Sequence, residues 1–147
     1  MPNKPRKSFQ FDLITPDEII ISEEASMVLV PGELGEFGVL ANHSALISSV
    51  KPGVVSLFSV TGGVRKFFVS YGLADVNELM CSVLVENVTD LGTITIEEAE
   101  AELKELERKA RAISLDNDEA HRILEDLLGA VAKLRAVQDL KGLNQKL

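Results

Sequence analysis

The spacing of hydrophobic and polar positions changes at Gly92. Before it, short stretches such as residues 9–13 alternate between apolar and polar side chains, and after it apolar residues recur every third or fourth position. Alternation with a period of two is typical of strands with one buried face, whereas spacings of three and four are typical of helices. The pattern predicts two modules, a β-domain over residues 1–92 and a helical domain over residues 93–147.

Turn-forming residues are distributed along the first module as in an all-β domain. All five prolines and eight of the ten glycines lie at or before Gly92, mostly between the alternating stretches. Strands are predicted at residues 9–13, 19–22, 26–30, 45–50, 54–60, 65–69, 73–76 and 80–88. Short strands separated by turns at this spacing predict an antiparallel β-sandwich or flattened barrel. A doubly wound fold needs helices between the strands, and no segment of this module fits one.

The second module opens with a capping box. Thr95 precedes Glu98 by three residues, so the threonine hydroxyl can accept the Glu98 amide while the Glu98 carboxylate reaches back. A helix is therefore predicted to begin here. Its apolar seam consists of Ile96, Ala99, Leu103, Leu106, Ala110 and Ile113.

A second helix is predicted after a polar break at residues 114–117, where Asp116 and Glu119 repeat the capping arrangement. Its seam is predicted as Ala120, Leu124, Leu127, Val131 and Leu134, widened by Ile123, Leu128 and Val137. Two helices joined by a short polar break predict an antiparallel α-helical hairpin, so the fold class is α+β in two modules.

The first helical seam is narrow, and its two alanines remove little apolar area from water. Such a hairpin is marginal alone and must rest on the β-module or on another protein. Two alternatives stay open from the sequence: a hairpin that is permanently docked and stabilises the sandwich, and one that can be released and captured by another partner.

Charge and cysteine content narrow the function. The formal net charge of −8 argues against a nucleic-acid partner, which would need clustered lysine and arginine. The single cysteine, Cys81, lies in an apolar run and is predicted to be core filler. No apolar run is long enough for a membrane span or a signal region. This indicates a cytoplasmic protein that can associate with a membrane-bound partner.

No catalytic, metal or cofactor constellation is present in the sequence. Phosphate-loop, zinc-helix and nucleophile-elbow motifs are all missing. His121 has no second ligand at helical spacing, and the adjacent His43 and Ser44 would point to opposite faces of a strand. The chain is therefore predicted not to be an enzyme.

Glycines and candidate functional residues are most concentrated in residues 31–43, where three glycines recur at intervals of three and His43 ends the run. Glu36 and Phe37 stand between two of these glycines. Tight backbone excursions of this kind predict a loop that exposes functional groups on a rigid sheet. The alternative is a glycine-rich edge connection with a solvated glutamate and a histidine that satisfies a local carbonyl.

Several stretches together resemble the epsilon subunit of F-type ATP synthases, whose mitochondrial counterpart is called delta. They are Phe11-Asp12-Leu13-Ile14-Thr15-Pro16, Gly35-Glu36-Phe37-Gly38-Val39-Leu40, Asn42-His43-Ser44-Ala45-Leu46, Lys51-Pro52-Gly53, Ser70-Tyr71-Gly72-Leu73-Ala74-Asp75-Val76 and Val83-Leu84-Val85. Their order and spacing match the family over nearly the whole chain, including a terminal helical hairpin.

The resemblance implies a non-catalytic rotor subunit that binds the gamma subunit and the c-ring and couples rotation to ATP synthesis at the cytoplasmic face of the bacterial inner membrane. Glu36 matches an acidic residue facing the polar loops of the ring, and His43 matches a histidine near gamma. The full set expected at these contacts is Glu33, Glu36, Phe37 and His43. The competing hypothesis is a free-standing adaptor or ligand-binding sandwich whose hairpin recruits another protein.

The resemblance also bears on regulation. In bacterial relatives an extended hairpin inhibits ATP hydrolysis through basic residues that meet the alpha/beta head. The candidates here are Arg122, Lys133, Arg135 and Lys141. Some members bind ATP through an arginine in the first helix, but Glu100 occupies that position, so a carboxylate would face the phosphates. Weak or no ATP binding is predicted.

Overall fold

The computed structural model describes residues 7–113 and 118–145. The chain divides into two compact units that meet in sequence between Gly92 and Thr93. The first is built from strands and the second from helices.

Nine strands form one sheet in the described part of the first unit. They are β1 (Phe9–Ile14), β2 (Ile19–Gly32), β3 (Gly35–Leu40), β4 (Leu46–Val50), β5 (Gly53–Ser59), β6 (Val64–Val69), β7 (Gly72–Val76), β8 (Met80–Val85) and β9 (Val88–Asp90). The path from β2 through β4, β7 and β8 reaches β1, which pairs again with β2, so this part of the sheet closes on itself. Every pairing is antiparallel except the parallel one between β1 and β8.

Apart from one-residue shifts at strand ends, the predicted strands are wrong in three places. The stretches 19–22 and 26–30 form a single strand, because the polar residues between them stay paired with β1. Residues 35–40 form strand β3 instead of part of a loop. The predicted strand 80–88 breaks at Glu86 and Asn87, after which β9 pairs with β6 while β8 pairs with β7 and β1.

The core lies between the inward faces of the strands. Its members are Phe9, Phe11, Leu13, Ile21, Ala25, Val28, Val30, Val39, Val50, Val55, Leu57, Phe67, Val69, Ala74, Val76, Cys81, Val83 and Val85. Most alternate along their strands, so the period-two pattern of the sequence is the pattern of burial. The prediction that Cys81 is core filler is confirmed, since its side chain is fully buried.

The second unit contains helices α1 (Ile96–Arg111) and α2 (Asp118–Gln145), which form the predicted hairpin. The capping box is present: the Glu98 amide donates to Thr95 Oγ1 at 3.1 Å, and the Thr95 amide donates to Glu98 Oε2 at 3.1 Å. The second capping prediction falls on Asp116, outside the described residues.

The predicted seam of α1 is confirmed, because only its six members are buried or half-buried between residues 96 and 113. The seam of α2 was predicted partly on the wrong side. Leu124, Leu128 and Val131 are exposed, and the buried side instead carries Ala120, Ile123, Leu127, Ala130, Leu134 and Val137. Helix α2 carries apolar residues on more of its circumference than is buried. Their spacing alone therefore did not determine which side of the helix faces inward.

Candidate partner-binding sites

The β2–β3 connection is a tight hairpin with Glu33 and Leu34 at its turn. Gly32 pairs with Gly35 immediately below them. Gly35 has a φ of +131°, a conformation that residues with a Cβ rarely adopt. We call residues 32–35 the tip hairpin. Glycine on both sides lets the chain reverse within two residues.

The base of the tip hairpin is fixed to the neighbouring β4–β5 corner. The Glu33 amide donates to the Ser49 carbonyl at 3.0 Å, and the Lys51 amide donates to the Pro31 carbonyl at 3.0 Å. A Cβ on Gly53 would lie only 2.8 Å from Pro31 Cβ, so glycine there permits the close approach. The tip hairpin is therefore held on a rigid support.

The residues predicted for partner contacts differ in exposure around this hairpin. Glu33 and Glu36 are exposed, whereas the half-buried Phe37 packs against the core. The Phe37 ring also lies beside Gly32, where a Cβ would come within 2.9 Å of two ring carbons. Phe37 thus anchors the hairpin, and its contact with a partner stays a prediction.

His43 lies at the opposite end of β3. Five residue steps separate Gly35 from Leu40, which corresponds to roughly 17 Å along a strand. His43 Nδ1 lies 2.6 Å from the Ser44 carbonyl oxygen, and the preceding Asn42 has a φ of 64°. The four predicted contact residues therefore do not form one cluster, because β3 separates the acidic end from the histidine end.

An apolar surface that the sequence pattern did not predict lies on the outside of the sandwich. Leu73 of β7 lies directly across from Leu84 of β8, which in turn pairs with Ile14 of β1. Leu73 and Leu84 are about half exposed, and Ile47 on the adjacent β4 is 72% exposed. Direct cross-strand partners share a face of a sheet, so Ile14, Leu84 and Leu73 are neighbours, and Ile47 lies on the same face across from Asp75. The signal was available in Val83-Leu84-Val85, where three consecutive apolar residues force one outward.

A hollow of about 350 Å³ continues this surface toward the end of the sheet that carries the tip hairpin. It is lined by Ile14, Thr15, Pro16, Tyr71, Gly72, Leu84, Val85 and Glu86. We call this hollow, together with Ile47 and Leu73, the apolar face. An exposed surface of this kind marks an interaction site more often than a scattered leucine does.

The predicted inhibitory residues lie along α2. Arg122 and Arg135 are exposed, and Lys141 is half-buried. Lys133 forms an ion pair with Glu102 of α1, with 14% of the lysine side chain exposed. Lys133 thus links the two helices. Glu100, at the position of the arginine in the ATP motif, is exposed on α1.

Within residues 7–113 and 118–145, no group of three or more histidine, cysteine or acidic side chains has a geometry that could hold a metal ion. Burial, together with the charges of Asp75 and Asp12, raises the pKa of the Cys81 thiol to about 12. Neither described helix is long and apolar enough to cross a membrane.

Comparison with known proteins decides the family. The family model described as "ATP synthase, Delta/Epsilon chain, beta-sandwich domain" matches residues 8–90. The chain belongs to this family. The ATP synthase epsilon chain of Paramagnetospirillum magneticum is 35% identical over 131 residues, covering 86% of this chain and 98% of the relative. That of Rhodospirillum rubrum is 33% identical over 126 residues, covering 82% and 94%.

Solved structures agree with the family in fold. A chain in the Euglena gracilis mitochondrial ATP synthase, in a structure of OSCP, F1 and the c-ring, has a TM-score of 0.71 and 25% identity, covering 95% of this chain and 85% of that one. A chain in the Tetrahymena thermophila mitochondrial ATP synthase, in a structure of central stalk and c-ring, has a TM-score of 0.62. Because the Tetrahymena chain is only 16% identical, this match supports the fold of this delta/epsilon family member and nothing further.

Proposed function

We propose that this chain is a non-catalytic central-stalk subunit of a proton-translocating F-type ATP synthase, which binds gamma and the c-ring and couples rotation to ATP synthesis. The observation that carries the proposal is the family match together with curated relatives aligned over nearly their whole length.

The tip hairpin is proposed to contact the c-ring. Glu33 at its turn and Glu36 directly after it are exposed on a support fixed by backbone hydrogen bonds. A contact that transmits torque needs a stiff element, and a two-residue turn tied to the β4–β5 corner supplies one. Carboxylates at this position suit polar or basic groups on the ring.

The gamma subunit is proposed to cover the apolar face and the histidine end of the sandwich. Leu73 and Leu84 are each about half exposed, and full burial of an exposed leucine contributes about 1.5–3 kcal/mol, so covering the exposed half of each contributes about half of that. The partner contact of His43 is assigned to the same subunit. The sandwich would then meet its two partners through different surfaces.

The hairpin of α1 and α2 is proposed as the regulatory element. The exposed Arg122 and Arg135, with Lys133 and Lys141, are the candidate contacts with acidic groups on the alpha/beta head. Salt screens exposed charge pairs, so any such inhibition should weaken as ionic strength rises. The complex would hold this chain peripherally at the cytoplasmic face of the bacterial inner membrane.

Co-purification with gamma tests the proposal against the alternative of a free-standing adaptor. The full chain should form a 1:1 complex with gamma on size exclusion, and Leu84→Asp should weaken that complex because a carboxylate would be buried in an apolar contact. Val60→Asp is the matched control, since Val60 is 50% exposed in the β5–β6 turn away from the apolar face. A wild-type chain that ignores gamma would favour the adaptor.

A further inference from the structure

Leu34 is the most exposed large apolar side chain in the part of the chain that the structure describes. Its relative exposure is 105%, which means that it touches essentially nothing in its own chain. It sits at the turn of the tip hairpin beside Glu33, above the closing pair of Gly32 and Gly35.

Turn chemistry gives no reason for a leucine at this position. Two-residue hairpin turns favour asparagine, aspartate and glycine, whose backbones tolerate the required conformations. A side chain with no intramolecular contact also adds nothing to the folded core. The leucine is therefore free to contribute all of its apolar surface to a partner.

The backbone segment that carries Leu34 is held rigidly. Gly32 is wedged against the Phe37 ring and the Gly35 carbonyl, each 2.9 Å from the position a Cβ would take. The hydrogen bonds from the Glu33 and Lys51 amides hold the same segment to the β4–β5 corner. Little ordering is then needed when a partner binds, which favours affinity.

We propose that Leu34 is the apolar anchor of the contact with the c-ring, inserted between polar loops of the ring while Glu33 and Glu36 face basic or hydrogen-bond-donating groups beside it. The assignment rests on the proposed function of this chain. The exposed carboxylates flanking the leucine indicate a partner whose hollow is rimmed by positive or donor groups.

The different roles proposed for Leu34 and for the two glutamates predict a different salt dependence for each. Exposed charge pairs weaken as salt rises, because ions screen them beyond about 10 Å at 0.1 M. Burial of a leucine is not screened. Leu34 should therefore supply the salt-resistant part of ring binding and the two glutamates the salt-sensitive part.

The experiment measures binding of the full chain, in complex with gamma, to purified c-ring at low and high salt. Leu34→Asn keeps a residue that turns favour and should weaken ring binding by roughly tenfold or more at both salt concentrations. Glu33→Gln and Glu36→Gln should weaken it at low salt only. Val60→Asn is the matched control, because Val60 is 50% exposed in the β5–β6 turn, and it should bind as the wild type does.

Two different failures are distinguishable. If wild-type complex holds the ring and Leu34→Asn binds within twofold of it, the anchor is refuted while the proposed function stands. If the wild-type complex does not hold the ring, the proposed function fails and the anchor with it. Unfolding midpoints equal to wild type would show that the variant's loss is not a folding defect.

Discussion

Lys133 Nζ of α2 lies 3.0 Å from both carboxylate oxygens of Glu102 of α1, so one ion pair joins the two arms of the helical hairpin. The residues are 31 positions apart in sequence, and the lysine is much less exposed than its partner. A residue that the sequence offered as an inhibitory contact therefore also holds the hairpin together. Any conformation that separates the helices must break this pair.

Glu102→Gln should loosen the hairpin. Removing the carboxylate charge leaves a largely covered ammonium without that ion pair, which should cost about 0.5–1 kcal/mol. Hydrogen exchange of α1 and α2 amides should become faster. Glu105→Gln is the control, because Glu105 pairs with Arg108 on the same helix and both side chains are at least half exposed. Equal exchange in the two variants would contradict a role for the Lys133 pair.

Gly72→Ala should destabilise the sandwich by about 1–3 kcal/mol or more. A Cβ at Gly72 would overlap the Leu84 carbonyl oxygen on the neighbouring strand, and backbone cannot move away cheaply. Urea unfolding followed by circular dichroism measures the loss. Gly38→Ala serves for comparison, since its Cβ would meet only Leu29 Cδ2 at 3.4 Å. Similar midpoints for both variants would argue against the close approach.

Cys81 should be unreactive toward thiol reagents in the folded protein at neutral pH. Burial first, and then Asp75 and Asp12, raise the pKa of its thiol from 9.0 to about 12, so almost no thiolate forms. Because the folded state holds this proton more tightly than the unfolded state, the thiol stabilises the fold fully below pH 9.0. That contribution is lost as the pH rises toward about 12.

Two measurements check the thiol. Labelling with a disulfide reagent should require unfolding, and Cys81→Ala should remove the alkaline loss of stability that belongs to this group. Rapid labelling of native protein would contradict the burial. The Ala variant will also be less stable at every pH, because it leaves a small cavity in the core.

The isolated chain should not bind ATP at millimolar concentration. Glu100 places an exposed carboxylate where the ATP-binding pattern has arginine, and a carboxylate repels a triphosphate. Titration calorimetry with magnesium-ATP should show only heat of dilution. A saturable heat would overturn the prediction. If that heat were then lost in Glu100→Gln, the carboxylate would be contributing to ATP binding instead of opposing it.

Truncation after Gly92 should leave a folded sandwich. The core residues of the first unit come from strands β1 to β8, all of which precede the cut. Cooperative thermal unfolding of the fragment checks this. Added to a reassembled ATPase head with gamma, the fragment should permit faster hydrolysis than the full chain if the helices act as a brake. Equal rates would indicate a purely structural hairpin.

Local pattern was sufficient for the fold class and for most strands. Alternation identified the buried face of β1, and the Thr95–Glu98 capping box marked the start of α1 to the residue. These features depend on neighbours within a few positions, so the sequence carries them directly. The same is true of the six-residue seam of α1.

Tertiary structure decided which surfaces are available to partners. The acidic tip and His43 belong to one glycine-rich run in sequence but lie at opposite ends of β3, because that run is paired with β2. The exposure of Leu73 and Leu84, and the exposed side of α2, depend on which strands and helices become neighbours. The amino-acid sequence by itself determined the elements and the family resemblance. Only long-range pairing, which local periodicity does not encode, decided where each functional side chain points.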